Sequence, residues 1–231
     1  MKRTTTNPIA KWKKAFSGGK PKAAGNEPGQ KEPSLALIRK EPVTFQLSRL
    51  ENPQDFERMN FVIKACSKTG DAPFKTVLHV ERTRKGSRLV ASDGLRLHVA
   101  EISQKIKSGD YKPHATKEVI TLGYPVEGIK FPSWSKAIPE KTEQKGVIDL
   151  KNSSLRKDRK ETERLSLAFN DFVRKTGEPV NLRYLEDLTK QNWAVFCQNE
   201  RRRAIVLKEK SGDVARSDAP MAVIMPIQQA A

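Results

Sequence analysis

Two residues, Asp93-Gly94, constrain what this chain can fold into more than any other pair. They stand between two strand-like runs, "SRLVAS" (87–92) and "LRLHVAEI" (95–102), and an Asp-Gly pair in that setting is a strong hairpin signal. A Lys85-Gly86 turn joins "SRLVAS" in the same way to "TVLHVER" (76–82). Three consecutive strands linked by tight turns predict an antiparallel sheet.

Further elements frame these hairpins. "VTFQL" (43–47) alternates as a short strand, and Asn52-Pro53 reads as a helix cap followed by proline in the first turn. Phe56, Met59, Ile63 and Cys66 then form one apolar helical stripe. "KEVITL" (117–122) is a further strand, and "GIKFPSWSKAIPEK" (128–141), with two prolines, is a connector. "GVIDL" (146–150) resumes strand pattern. A helix over 159–175 carries Leu165, Phe169, Phe172 and Val173 on one face. An Asn181-capped short helix follows within 180–190, with Tyr184, Leu185 and Leu188 inward. "WAVFC" (193–197), "RAIVLK" (203–208) and "MAVIMPI" (221–227) complete an antiparallel set. Without βαβ regularity, the class is α+β.

The chain of 231 residues carries a net charge of +17, with 44 Lys and Arg against 27 Asp and Glu. Such an excess points to a polyanion, most often nucleic acid, and otherwise to a solvated basic surface. Residues 1–43 hold ten Lys and Arg against three Glu and little apolar periodicity, which predicts a disordered basic arm. Lys11, Lys13 and Lys14 of that arm are candidate phosphate contacts. So are Arg58, Lys64 and Lys68, outside the first helix's apolar stripe, and the block of Arg156, Lys157, Arg159, Lys160 and Arg164. A mean hydropathy of -0.65 and the lack of any long apolar run argue against a membrane span, and the charged N-terminus lacks a signal peptide's apolar stretch. A cytoplasmic location is expected, with Cys66 and Cys197 as buried free thiols.

Motifs for catalysis are missing. The sequence shows no nucleotide-binding glycine motif, phosphate loop or nucleophile elbow, and "SGGK" (17–20) has the wrong spacing and is followed by Pro21. His79, His98 and His114 lack metal spacing, and His79 and His98 alternate within strands. Asp93 is accounted for by its turn. No enzyme, cofactor or metal site is expected, and no helix-turn-helix pattern supports a sequence-specific regulator.

Three separated segments together resemble the bacterial β sliding clamp, the processivity factor of DNA polymerase III. "LVASDGLRLHVAEI" is similar to the family's A-T-D-G-H-R-L strand-turn-strand. "FPSWSKAIPE" is similar to its Y/F-P-D-Y/F-R-x-V/L-I/L-P connector. "VNLRYLEDL" and the later "MAVIMPI" resemble its F-N-x-x-Y-L-x-D-x-L helix and V-V-M-P-M terminus. The resemblance runs over about residues 44–227 and follows the second and third of the family's three domains. It implies a DNA-clamp fold of antiparallel sheets with helices on one face, a clamp-like domain at 44–140 and another at 141–231. Leu95 replaces the motif's His and Ser133 its Asp, and the basic arm stands where the first clamp domain would be.

The resemblance also implies a function. A clamp encircles duplex DNA through sequence-independent phosphate contacts and docks DNA polymerase or other proteins that carry a clamp-binding peptide; a homo-oligomeric ring and a clamp loader are further implied partners. On this reading Val223, Met225 and Ile227 point to one side of a terminal strand, while Pro226 limits pairing at its edge. They form one wall of a peptide pocket; Gly94, Leu95, Arg96 and Leu97, with Pro132, Lys136 and Ala137, form the other, and Arg96 anchors the peptide's polar end. The rival reading is a clamp-derived adaptor that does not encircle DNA.

Overall fold

The computed structural model describes residues 44–151, 153, 159–188, 191–198, 203–210 and 219–227. The arm at 1–43, with Lys11, Lys13 and Lys14, lies outside the described residues, as do Arg156 and Lys157.

The strand β1 (Phe45–Ser48) leads into helix α1 (Pro53–Ile63), where proline takes the first turn as expected. Asn52 does not cap it; its side-chain oxygen instead accepts from Gln104 Nε2 at 3.1 Å. The buried carboxylate of Asp55 ties the first turn of α1 to the sheet by accepting from the Ser103 amide at 3.1 Å and from its hydroxyl. The helix ends at Ile63, so Cys66 falls beyond the stripe, and Val62 takes the buried position beside Phe56 and Met59. The next strand is shorter than expected because Pro73–Thr76 wind into a 3-10 turn.

Then come β2 (Leu78–Arg82), β3 (Ser87–Ser92) and β4 (Arg96–Ile102), paired antiparallel through the two foreseen turns. At the second turn Gly94 has φ +92°, a left-handed conformation that favours glycine. Two three-residue strands, β5 (Gly109–Tyr111) and β6 (Pro113–Ala115), precede β7 (Val119–Leu122). The connector holds one 3-10 turn, Trp134–Ala137. Beyond it lie β8 (Glu143–Asp149), α2 (Arg159–Thr176), α3 (Leu182–Glu186), β9 (Asn192–Cys197), β10 (Ile205–Lys210) and β11 (Met221–Ile224). Asn181 caps α3, its side-chain oxygen accepting from the Arg183 amide at 3.0 Å.

Eight of the strands form one antiparallel sheet in the order β5-β2-β3-β4-β11-β10-β9-β8, and β1-β7-β6 form a smaller one. The expected boundary at 140/141 falls just before β8, and the two flanking segments meet where β4 pairs with β11. Alternation along each strand sends residues to two faces. On one, α1 covers Leu78, Val80, Leu89, Ala91, Ala100 and Ile102, while α2 and α3 cover Trp193, Val195, Ile205, Leu207, Ala222 and Ile224. Phe61 of α1 touches both cores. Among the described residues the opposite face has no α-helix; Val90, Leu97, Val99, Val206 and Val223 are buried there beneath Phe131, Trp134 and Ile138 of the connector. The architecture is α+β with its helices on one side, as expected.

One expectation fails at β11. Its strand stops at Ile224 and lies inside the sheet between β4 and β10, so Pro226 guards no edge. The chain runs on by two other bonds, Met225 N–H to Leu95 O and Ile227 N–H to Pro179 O, both 2.9 Å.

Candidate functional site

The Asp93-Gly94 turn is held by its own polar groups. Asp93 Oδ1 accepts from the amides of Leu95 (2.9 Å) and Arg96 (3.0 Å), and the Gly94 amide donates to Ser92 Oγ at 3.1 Å. This leaves Leu95 57% exposed at the tip, beside Met225 at 38%.

Between that turn, the connector and the end of β11 lies a cavity of about 720 Å³ on the helix-free face. Gly94, Leu95, Arg96, Leu97, Lys136, Ala137, Val223 and Met225 all line it, so the structure brings together eight of the expected pocket residues from three distant segments. Pro132, Pro226 and Ile227 do not line it. Ile138, Pro139 and Glu140 extend the connector wall, and Gln198, Arg203 and Ala204 close the side nearest β10. These last three flank strands rather than belong to a motif, and no sequence signal marked them.

Arg96, besides lining the cavity, is tied to groups on the helix side of the sheet. It stands between Leu95 and Leu97, so the pleat directs its side chain toward the helix face. There Nε donates to Asp93 Oδ2 at 3.0 Å, Nη2 donates to Lys64 O at 2.6 Å, and Nη1 pairs with Asp187. Its guanidinium also lies 4.7 Å from the Tyr184 ring centroid. Lys64 Nζ adds a bond to Asp187 O at 3.1 Å, so the two segments are laced together directly behind the cavity.

The same side carries those candidate DNA contacts that fall within the described residues. Arg159, Lys160 and Arg164 are exposed on α2, as is Arg174. Arg58 is half-buried and donates to Glu101 O at 2.8 Å, and Lys64 is engaged as above, so both hold backbone as well as carrying charge. Lys68 is exposed and lines a cleft of about 1020 Å³ with Lys64, Lys112 and Arg183. Lys112 and Arg183 stand alone in sequence, which hid them from a search for basic clusters. Among the described residues no group of three or more His, Cys, Asp or Glu is placed to hold a metal ion, and no helix is long and apolar enough to cross a membrane.

Cys66 and Cys197 are free thiols, and burial pushes Cys66 up to about 12 and Cys197 above its ordinary value. Neither has thiolate character at neutral pH, which leaves no activated nucleophile at either position.

No protein-family model and no curated protein matches the sequence. Solved structures do. The DNA polymerase III β subunit of Pseudomonas aeruginosa matches with a TM-score of 0.52 and 14% identity, over 88% of this chain and 69% of that chain. The DNA polymerase sliding clamp of Bacillus subtilis matches at 0.52 and 12%, over 86% and 67%. The DNA polymerase III β chain of Streptococcus pneumoniae matches at 0.50 and 15%, over 90% and 69%. The chain has the sliding-clamp fold. Within that fold the cavity lies on one face of the sheet, and the laced seam and the exposed basic residues of α2 lie on the opposite face.

Proposed function

We propose that this clamp-fold protein docks a short apolar peptide of a DNA polymerase or another replication or repair protein in the helix-free-face cavity. Its α2 surface meets duplex DNA without sequence preference. The observation that carries this reading is the cavity itself, in which the Gly94 turn, the connector and the end of β11 converge although they lie far apart in sequence. Leu97, Val223 and Met225 offer it apolar surface, and methionine's flexible thioether suits several related partners.

A fluorescent Gln-x-x-Leu-Phe peptide is expected to bind with micromolar affinity, about -8 kcal/mol. Met225→Ala is expected to weaken it about ten-fold or more, because the lost side chain forms part of the wall. Failure of the intact, folded protein to bind any such peptide would falsify the docking role. For DNA, replacing Arg159, Lys160 and Arg164 by Gln should lower the log-log salt slope by about 0.9 per phosphate contact removed. An unchanged slope removes α2 from the DNA surface.

A second observation favours the adaptor that does not encircle DNA, because both ends of the eight-stranded sheet are obstructed. At one end the outward carbonyl of Asp110 in β5 accepts from Val126 N–H at 2.7 Å. At the other, Leu150 N–H bonds inward to Gln191 O, so by alternation the carbonyl of Val147 in β8 points to the free edge. Lys175 of α2 donates to it at 2.8 Å while pairing with Asp171, and a bulge at Gln144/Gly146 breaks the ladder beside it. Bulges and edge lysines are common guards against strand addition. On the adaptor reading the protein stays monomeric at moderate salt and is retained equally on circular and linearised DNA. A homo-oligomer whose DNA retention is lost on linearisation supports the encircling clamp instead.

A further inference from the structure

We infer that Glu81, supported by His79, is a positioning residue for the docking cavity: it holds in place the connector that forms one cavity wall. The inference rests on the peptide-docking reading above.

The connector between 128 and 141 contains no strand. Its internal backbone bonds include two long turn contacts, Lys136 N–H to Ser133 O and Ile138 N–H to Ser135 O, both 3.2 Å. Bonds of that length within a single 3-10 turn do not place the segment on the sheet. Side chains must do so, and three reach down: Phe131, Trp134 and Ile138.

Beneath them lies a row of polar side chains that crosses four strands on the helix-free face. The register sets Asp110 of β5 opposite His79 of β2, and Glu81 of β2 opposite Arg88 of β3, which in turn faces Glu101 of β4. These cross-strand neighbours are bonded. His79 Nδ1 and Asp110 Oδ1 are 2.7 Å apart, and Arg88 donates to Glu101 Oε1 through Nη2 (2.7 Å) and Nε (3.1 Å). Phe131 stacks on the His79 ring at 4.6 Å and 12°, with Phe74 edge-on at 6.1 Å. Trp134 Nε1 donates to Glu81 Oε1 at 2.8 Å, and the Arg88 guanidinium lies 5.7 Å from the Trp134 ring.

Stacking and apolar burial are tolerant of sliding, whereas a hydrogen bond to a carboxylate is directional. The indole N–H therefore sets how the Trp134 ring sits on the sheet. Ser135, Lys136 and Ala137, which line the cavity, belong to the same 3-10 turn as Trp134 or follow it directly, so a shift of that ring moves the wall. His79 braces the other end of the connector through Phe131, and its own ring is fixed by Asp110.

The test uses the full chain with Glu81→Gln, which keeps an acceptor oxygen, and Glu81→Ala, which removes it. Three quantities are read: affinity for the Gln-x-x-Leu-Phe peptide, the thermal midpoint, and hydrogen exchange at the amides of Ser135, Lys136, Ala137 and Ile138. Glu81→Ala is expected to raise the peptide Kd about five- to ten-fold and to speed exchange at those amides, the loss of one charge-assisted hydrogen bond. Glu81→Gln is expected to stay within about two-fold of the original on both readouts. Unchanged affinity in Glu81→Ala overturns the inference, and so does a loss matched equally by Glu81→Gln. If the unaltered protein binds no peptide, the docking reading fails, while the exchange rates still decide whether Glu81 positions the connector.

Discussion

Arg96→Ala is expected to destabilise the protein by about 3–5 kcal/mol, the range for removing one partner of a buried charge pair. The side chain is 12% exposed and meets Asp93 and Asp187, themselves 18% and 22% exposed. Without the guanidinium, Asp93 Oδ2, the Asp187 carboxylate and the Lys64 carbonyl lose the donor they share, and none of the three can hydrate fully. Packing is lost as well, since the guanidinium covers the Tyr184 ring. Arg96→Lys is expected to recover only part of the loss, because the three donors of an ammonium radiate from one nitrogen and cannot span acceptors that the planar guanidinium meets with three. Urea titration at neutral pH measures both effects. A loss below about 1 kcal/mol for Arg96→Ala, the level of an exposed ion pair, would show the seam to be held by strand pairing and apolar contact alone.

The same residue shows where the sequence was legible and where it was not. Local signals carried well. Asp93-Gly94 and Lys85-Gly86 announced both hairpins, Pro53 opened α1, and the apolar stripe of α2 set its inward face at Leu165 and Phe172. What failed was long-range or short. The pairing of β4 with β11 joins residues more than 120 positions apart, and nothing local marks "MAVI" as an interior strand rather than an edge. β5 and β6, at three residues each, are too short to show alternation. Asn52, a good cap by type, was drawn off by Gln104, a partner brought near only by the fold. At the cavity the resemblance to a known family named residues of three segments that the fold brings together, whereas the contact of Arg96 with Asp187 depends on a partner far away in sequence. Residue type read Arg58 and Lys64 as surface charge, but the backbone carbonyls they hold belong to other elements.

Acid is expected to unfold the protein through His98 more than through any other single group. The imidazole is fully buried in the seam, stacked on Phe61 at 4.4 Å and 4°, with Nδ1 2.8 Å from Phe61 O and Nε2 unpartnered among the described residues. Burial is the main cause that holds its pKa down at about 3, against a hydrogen bond to Phe61 that favours the charged form; the positive charges of Arg96 and Lys64 depress it further. The sign follows from comparing the two states. Above pH 6.5 the ring is neutral folded or unfolded and contributes no pH dependence. Below it the unfolded chain takes up a proton that the folded protein refuses, so stability falls by about 1.4 kcal/mol for each pH unit. The loss saturates only near pH 3, where it reaches about 5 kcal/mol, comparable to the whole stability of many domains. Carboxylates lose ion pairs in the same range, so the comparison must be with His98→Leu, which fills similar space and cannot titrate. That variant is expected to be less stable at pH 7, where the Phe61 carbonyl loses its donor, but to lose stability more gently between pH 6.5 and 4. Equal slopes for the two proteins in urea titrations over that interval would mean that His98 takes up its proton in the folded state, and that the seam admits water.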